Sequence, residues 1–230
     1  MSACPRVSSE HESSSPMLRS ALQDSHPTTR VQVFPAVIRA FIAVELPWPL
    51  QNYLAELSGR LFREVPPQSV RWARPDGIHL TLKFLGAIAE SRLAEIDSLL
   101  EPRLLETTPF LVEVGGLGCF PDLGRPRVVW VGVRSPTGEL EQLQEAIEKS
   151  LSEIGFPREA RGYSGHLTLG RVRQDIRRPE LKQVGEAVAR IGEADHRILE
   201  IRGISLFQSD LRPDGAVYTR RREWRLREAA

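Results

Sequence analysis

From residue 39 onward, short apolar runs alternate with stretches whose apolar residues recur every three or four positions. The first pattern fits a strand, the second one face of a helix. Residues 40–46 read as a strand, and Leu50, Tyr53, Leu54, Leu57 and Leu61 then line a helix face. The turn signal Pro75-Asp76-Gly77 leads into a second strand over 78–85. Leu93, Ile96, Leu99, Leu100 and Leu104 mark another helix, and 110–120 a third strand. The order β-α-β-α-β then repeats. A strand over 128–133 precedes a helix that Ser135 caps, with Pro136 at its first position and Gly155 at its end. A strand over 166–172, a helix through Leu181, Val184, Val188 and Ile191, and a strand over 198–207 complete the second set. The turn Pro213-Asp214-Gly215 adds a last strand over 217–226.

More than the order repeats. His79-Leu80-Thr81-Leu82 recurs 87 residues later as His166-Leu167-Thr168-Leu169. The same offset matches Val44 to Val131, Glu113 to Glu200, Gly116 to Gly203 and Phe120 to Phe207. Gap-free agreement over three strands predicts an internal duplication, with pseudo-repeats at about 38–122 and 123–227 facing each other across a pseudo-two-fold axis.

Composition narrows the setting. The 230 residues carry 31 Lys plus Arg against 30 Asp plus Glu, a net charge of +1. That balance excludes a protein that coats long nucleic acid or anionic membrane, which needs many uncompensated cations. Residues 1–37, rich in Ser and Pro and without apolar period, read as a disordered tail ahead of a single domain over 38–227. Two cysteines, Cys4 and Cys119, make neither a disulfide framework nor a four-ligand zinc site. No run approaches the roughly 18 apolar residues of a membrane span, and the N-terminus lacks a signal-peptide core. A cytoplasmic protein without membrane association is the expectation.

The chemistry lies in the repeated tetrapeptide. Side chains alternate along a strand, so His79 and Thr81 share one face while Leu80 and Leu82 take the other. The same holds for His166, Thr168, Leu167 and Leu169. Packed about a two-fold axis, the polar faces bring two imidazoles and two hydroxyls into one cleft. That set suits in-line displacement at a phosphodiester. One imidazole takes a proton from the nucleophile, the other gives one to the leaving oxygen, and hydroxyls donate to non-bridging oxygens. No carboxylate or thiol stands at ligand spacing, so neither metal nor other cofactor is expected. His11, His26 and His196 read as background.

These paired motifs resemble the 2H phosphoesterase superfamily, in particular its RNA 2′,3′-cyclic phosphodiesterase branch, the bacterial 2′-5′ RNA ligase-like proteins. The resemblance extends through 39–43, 79–86, 116–121, 127–133 with Trp130, 166–171, 206–209, Gly215, Tyr218 and Trp224. It implies a bilobal α+β fold, with antiparallel-rich sheets around a central cleft. It also implies metal-independent opening of an RNA 2′,3′-cyclic phosphate to a 2′-phosphate, with 2′-5′ ligation as the reverse. His79 is then the proton donor, His166 the acceptor, and Thr81 and Thr168 hold the phosphate. Arg171 stands where family members often carry an arginine near the phosphate, although strict alternation turns it away from His166 unless the strand bulges. Alternation puts Lys83 on the His79 face, beside the phosphate or on a solvated rim. Phe84, Phe120 and Trp130 are candidates for stacking on a base, with core burial as the plainer reading. Gly165 stands where the family commonly has Pro. The expected partner is an RNA end, tRNA included, bound by a monomer with no obligate protein partner. The alternatives are a phosphodiesterase for small cyclic nucleotides or ADP-ribose cyclic phosphate, and a module that binds nucleotides or RNA ends without chemistry.

Overall fold

In the computed structural model, which describes residues 36–192, 195–212 and 215–227, the first sequence half forms β1 (Val37–Glu45), α1 (Trp48–Glu64), β2 (Val70–Trp72), β3 (His79–Ala89), α2 (Leu93–Leu104) and β4 (Phe110–Phe120). The second forms β5 (Val128–Arg134), α3 (Glu139–Glu153), β6 (His166–Val172), α4 (Arg178–Ile191), β7 (Arg197–Ile201), β8 (Gly203–Arg212) and β9 (Gly215–Arg225). The tail to residue 35, with Cys4, His11 and His26, and the turn residues Pro213 and Asp214 lie outside the described residues.

Three elements depart from the sequence pattern. β2 has no counterpart in that pattern, since three residues are too few to show a period. The strand expected over 198–207 is broken at Arg202 into β7 and β8. α3 starts at Glu139 rather than after Ser135, because Ser135 to Gly138 close a turn: the Gly138 N–H donates to the Ser135 carbonyl at 3.2 Å and Gly138 adopts φ 85°. Ser135 still serves the helix, its Oγ accepting the Glu139 N–H at 3.1 Å.

All the strand pairings are antiparallel, in the order β7-β4-β5-β6-β3-β1-β8-β9, with β2 added alongside β6. The two halves meet where Leu80 pairs with Leu167, so the strands form one continuous sheet. The ladders repeat at the 87-residue offset. Phe41↔Phe84, Ile42↔Lys83, Ala43↔Thr81 and Val44↔Leu80 correspond to Val128↔Arg171, Val129↔Gly170, Trp130↔Thr168 and Val131↔Leu167. Both ladders skip a residue at the same place, Leu82 in one and Leu169 in the other, which makes a matching β-bulge in each, and the β1–β3 ladder skips a second residue at Leu85. The third strand of each half pairs with the first strand of the other: Phe41↔Phe207 joins β1 to β8, and Phe120↔Val128 joins β4 to β5.

One face of the sheet is apolar and helix-covered, as the period-2 pattern requires. Leu80, Leu82, Leu167 and Leu169 are buried there among Leu54, Leu57 and Leu61 of α1, Ile96 and Leu100 of α2, Ile147 and Leu151 of α3, and Val184 and Val188 of α4. α1 packs on α4 and α2 on α3. No helix among the described residues is long and apolar enough to cross a membrane. The α+β architecture and its antiparallel strands are those implied by the family resemblance, but the separate sheets it implies are joined into one, because β3 and β6 pair at Leu80↔Leu167.

Candidate active site

The opposite face carries the polar pair from each half. His79 opens β3 and His166 opens β6, and both rings are anchored in the same way. Nδ1 of His79 lies 2.9 Å from the Gly77 carbonyl, and Nδ1 of His166 lies 2.8 Å from the Ser164 carbonyl, again 87 residues apart. A carbonyl only accepts, so each Nδ1 carries the hydrogen, which leaves each Nε2 free to accept a proton or, once charged, to give one.

The surroundings of the two rings differ. His79 stacks on Phe41 at 4.6 Å, meets Tyr218 edge-on at 5.1 Å and lies 6.4 Å from Phe207. Burial in this aromatic nest pushes the His79 pKa down to about 4, with a smaller contribution from the charge of His166, against the opposing pull of the Gly77 carbonyl. The field of one histidine thus reaches the other. His166 touches Phe120 edge-on at 4.9 Å, and its anchoring hydrogen bond is open to solvent.

The two bulges redirect everything downstream of the threonines. At Leu82 two consecutive residues turn to the helical side, so Lys83 is 2 % exposed rather than beside His79. Its Nζ donates to Glu148 of α3 at 2.8 Å and to the Pro157 carbonyl at 2.8 Å. Lys83 is therefore neither a phosphate ligand nor a rim residue, because unbroken alternation does not hold across a bulge. Phe84 moves the other way. It reaches the His79 face, where it is 61 % exposed and 6.1 Å from Phe41. In β6 the bulge at Leu169 returns Arg171 to the face of His166 and Thr168, opposite Val128. The charge of Arg171 opposes the rise that burial imposes on the Tyr218 hydroxyl, which joins it to the nest around His79.

The second wall is built on β4 and β5. Trp130 is opposite Thr168 and beside Gly118, where a Cβ would collide with the indole ring. The missing side chain lets the ring lie against the strand, and Phe120 packs on it at 5.1 Å. Both rings are half-buried rather than sealed in the core. Gly165 approaches the other strand closely: a Cβ there would stand 2.6 Å from the Val133 carbonyl and 3.1 Å from Leu140. A proline ring does not fit at that distance. Tyr163, held protonated by burial, donates to the Thr81 carbonyl at 3.1 Å. Phe41, Phe207 and Tyr218 are not among the residues that the sequence pattern places at the site. The position of Phe207, 87 residues after Phe120, is the available signal.

Among the described residues, no group of three or more His, Cys, Asp or Glu side chains is placed to hold a metal ion. The sequence signature of the 2′-5′ RNA ligase superfamily spans residues 46–206, a stretch that contains both His-x-Thr pairs. The chain belongs to that superfamily. Within the 2′-5′ RNA ligase superfamily it is 36% identical over 187 residues to an Archaeoglobus fulgidus protein named RNA 2′,3′-cyclic phosphodiesterase, covering 79% of this chain and 96% of that one. A Methanothermobacter thermautotrophicus protein of the same name is 32% identical over 189 residues, covering 82% and 99%. A crystal structure from Thermus thermophilus superposes with a TM-score of 0.68 at 25% identity over 84% of this chain and 100% of that one. Escherichia coli LigT, solved with 3′-AMP, shares the superfamily fold at a TM-score of 0.64 and 22% identity, over 83% and 99%.

Proposed function

We propose that this protein opens the 2′,3′-cyclic phosphate at an RNA end to a 2′-phosphomonoester, with His79 and His166 as its proton-transfer pair. The observation that carries the reading is the twin anchoring of the imidazoles, which offers two Nε2 atoms from strands that meet at Leu80↔Leu167. The names of the curated relatives supply the substrate class.

In the step we infer, a water oxygen attacks phosphorus in line with the 3′ oxygen, and Nε2 of one histidine takes the water proton. The bond from phosphorus to the 3′ oxygen breaks, and the other histidine protonates that oxygen. One water is consumed and the proton inventory of the pair is restored by exchange between the rings and solvent. Thr81 and Thr168 donate to the non-bridging oxygens, and Arg171 balances their charge. Burial that holds His79 neutral suits it to accept the proton, which leaves the donor's role to the other histidine. This reverses the order implied by the family resemblance. A 5′-hydroxyl in place of water gives 2′-5′ ligation by the same proton transfers.

Both roles are tested with an oligonucleotide ending in a 2′,3′-cyclic phosphate, in EDTA. Wild type is expected to yield the 2′-phosphate, and His79→Ala and His166→Ala to lose it by about 10²- to 10⁴-fold. A substrate with sulfur in place of the 3′ oxygen has a leaving group that needs no proton. It should restore turnover in His166→Ala and not in His79→Ala. No wild-type turnover sinks the activity, and rescue of His79→Ala instead inverts the roles.

A further inference from the structure

The two imidazoles are anchored alike, but the anchors themselves are held differently. The Gly77 carbonyl that fixes His79 belongs to a turn closed by its own backbone. There the Gly77 N–H donates to the Arg74 carbonyl at 2.9 Å, and the Ile78 N–H to the Pro75 carbonyl at 3.2 Å. The Ser164 carbonyl that fixes His166 lies in a stretch, residues 156–165, that is neither helix nor strand and leads from α3 to β6. Among the described residues, no backbone-to-backbone hydrogen bond closes a turn at Ser164. Residues 157–162 and Ser164 are exposed, and Tyr163 between them is turned inward onto the core.

The bonds that hold this stretch come from outside it, and most of them from β3. The Tyr163 hydroxyl donates to the Thr81 carbonyl at 3.1 Å. Upstream, the Lys83 ammonium donates to the Pro157 carbonyl at 2.8 Å, and its ion-pair partner Glu148 accepts the Glu159 N–H at 3.3 Å. Downstream, the Val133 N–H donates to the Gly165 carbonyl at 2.9 Å. Ser164 is thus bracketed, with Tyr163 tied to the motif strand of the first half and Gly165 tied to β5. The tie is one-sided: Asp76, which stands 87 positions before Tyr163, bonds the neighbouring Arg74 instead. Exposed irregular segments open most easily. The hydrogen bond at Nδ1 decides which ring nitrogen carries the hydrogen, and it lapses once its carbonyl moves out of reach.

We propose that Tyr163 is a positioning residue for His166: its hydroxyl, bound to the Thr81 carbonyl, holds the Ser164 carbonyl where it fixes the hydrogen on Nδ1 and the aim of Nε2. Resting on the function proposed above, this makes proton transfer by His166 depend on the backbone of the threonine that holds the phosphate from the other half.

Tyr163→Phe tests this, because it keeps the ring in the core and removes only the hydroxyl. NMR of protein with isotopically labelled histidine nitrogens reads the tautomer without turnover, with signals assigned from His79→Ala and His166→Ala. Under conditions where both rings are neutral, wild type should carry the hydrogen on Nδ1 in each. In Tyr163→Phe, His166 should shift to a mixture of tautomers while His79 keeps its own. On the cyclic-phosphate oligonucleotide, kcat should fall about tenfold at unchanged KM, within the roughly 100-fold that a misplacement of about 1 Å can cost. An unchanged His166 signal overturns the proposal whatever the rate does. A change shared by both histidines also overturns it, since general loosening of the fold would give that result. A shifted tautomer with undiminished kcat overturns it as well. If wild type shows no turnover, the proposed activity alone fails, and the nitrogen spectrum still decides whether Tyr163 places His166.

Discussion

Two imidazoles with the same sequence context and the same carbonyl anchor are made different by what surrounds them. The aromatic nest penalises a charge on His79, whereas His166 has its anchoring hydrogen bond open to solvent and a single ring, Phe120, edge-on to it. The consequence reaches stability. With its pKa lowered to about 4 against an ordinary 6.5, His79 stays neutral in the folded chain while the unfolded chain takes up a proton. Its neutral burial therefore supports the fold fully above about pH 6.5, and that support is lost as pH falls towards about 4. His79→Phe, which fills the nest with an uncharged ring, should remove this part of the dependence. Urea midpoints for the two proteins should diverge between pH 6.5 and about pH 4, with the variant falling less. Parallel curves would show that His79 is not held neutral. The motif and its two faces were readable from alternation alone. The nest was not, because Phe41, Phe207 and Tyr218 come from three other strands and meet His79 only through register.

At the scale of elements, the bulges decide which side chains face the cleft. Alternation places His79, Thr81, His166 and Thr168 correctly because all four precede the extra residue. It misplaces Lys83 because that residue follows it. A bulge leaves no mark in hydrophobic pattern here, since Leu82 reads as an ordinary core residue either way. The bulge in β3 is tied to α3: Gln144 donates to the Leu82 carbonyl at 3.4 Å and to Glu148 at 3.3 Å, and Glu148 receives the Lys83 ammonium at 2.8 Å. With side chains 1% and 4% exposed, neither charge of the Lys83–Glu148 pair has water to fall back on. Lys83→Met should therefore cost about 3–5 kcal/mol, because it strands a buried carboxylate. Lys83→Met with Glu148→Leu should recover at least half of that, since an apolar pair of similar volume needs no compensation. Chemical denaturation of the two variants checks the order, and a double variant weaker than the single one would refute it.

For the molecule as a whole, the 87-residue offset read from one tetrapeptide also relates strand pairings, bulges and ring anchors. What the offset alone does not reveal is the exchange of third strands, because pairing partners are set by closure of the sheet and not by local pattern. β4 completes the side of the second half, and β8 that of the first. Residues 36–122 without the rest should consequently give no folded monomer by circular dichroism and size-exclusion chromatography. A stable monomer of that fragment would contradict the pairing.

The crossed strands carry a historical implication. A chain half this long, present as two identical copies, could satisfy each of these ladders by trading its third strand with its twin. Such a pair would hold two equal histidines on an exact axis, with no way to tell one end of a substrate from the other. Fusing the copies let Phe84 and Arg171 diverge, and with them the directions along the cleft.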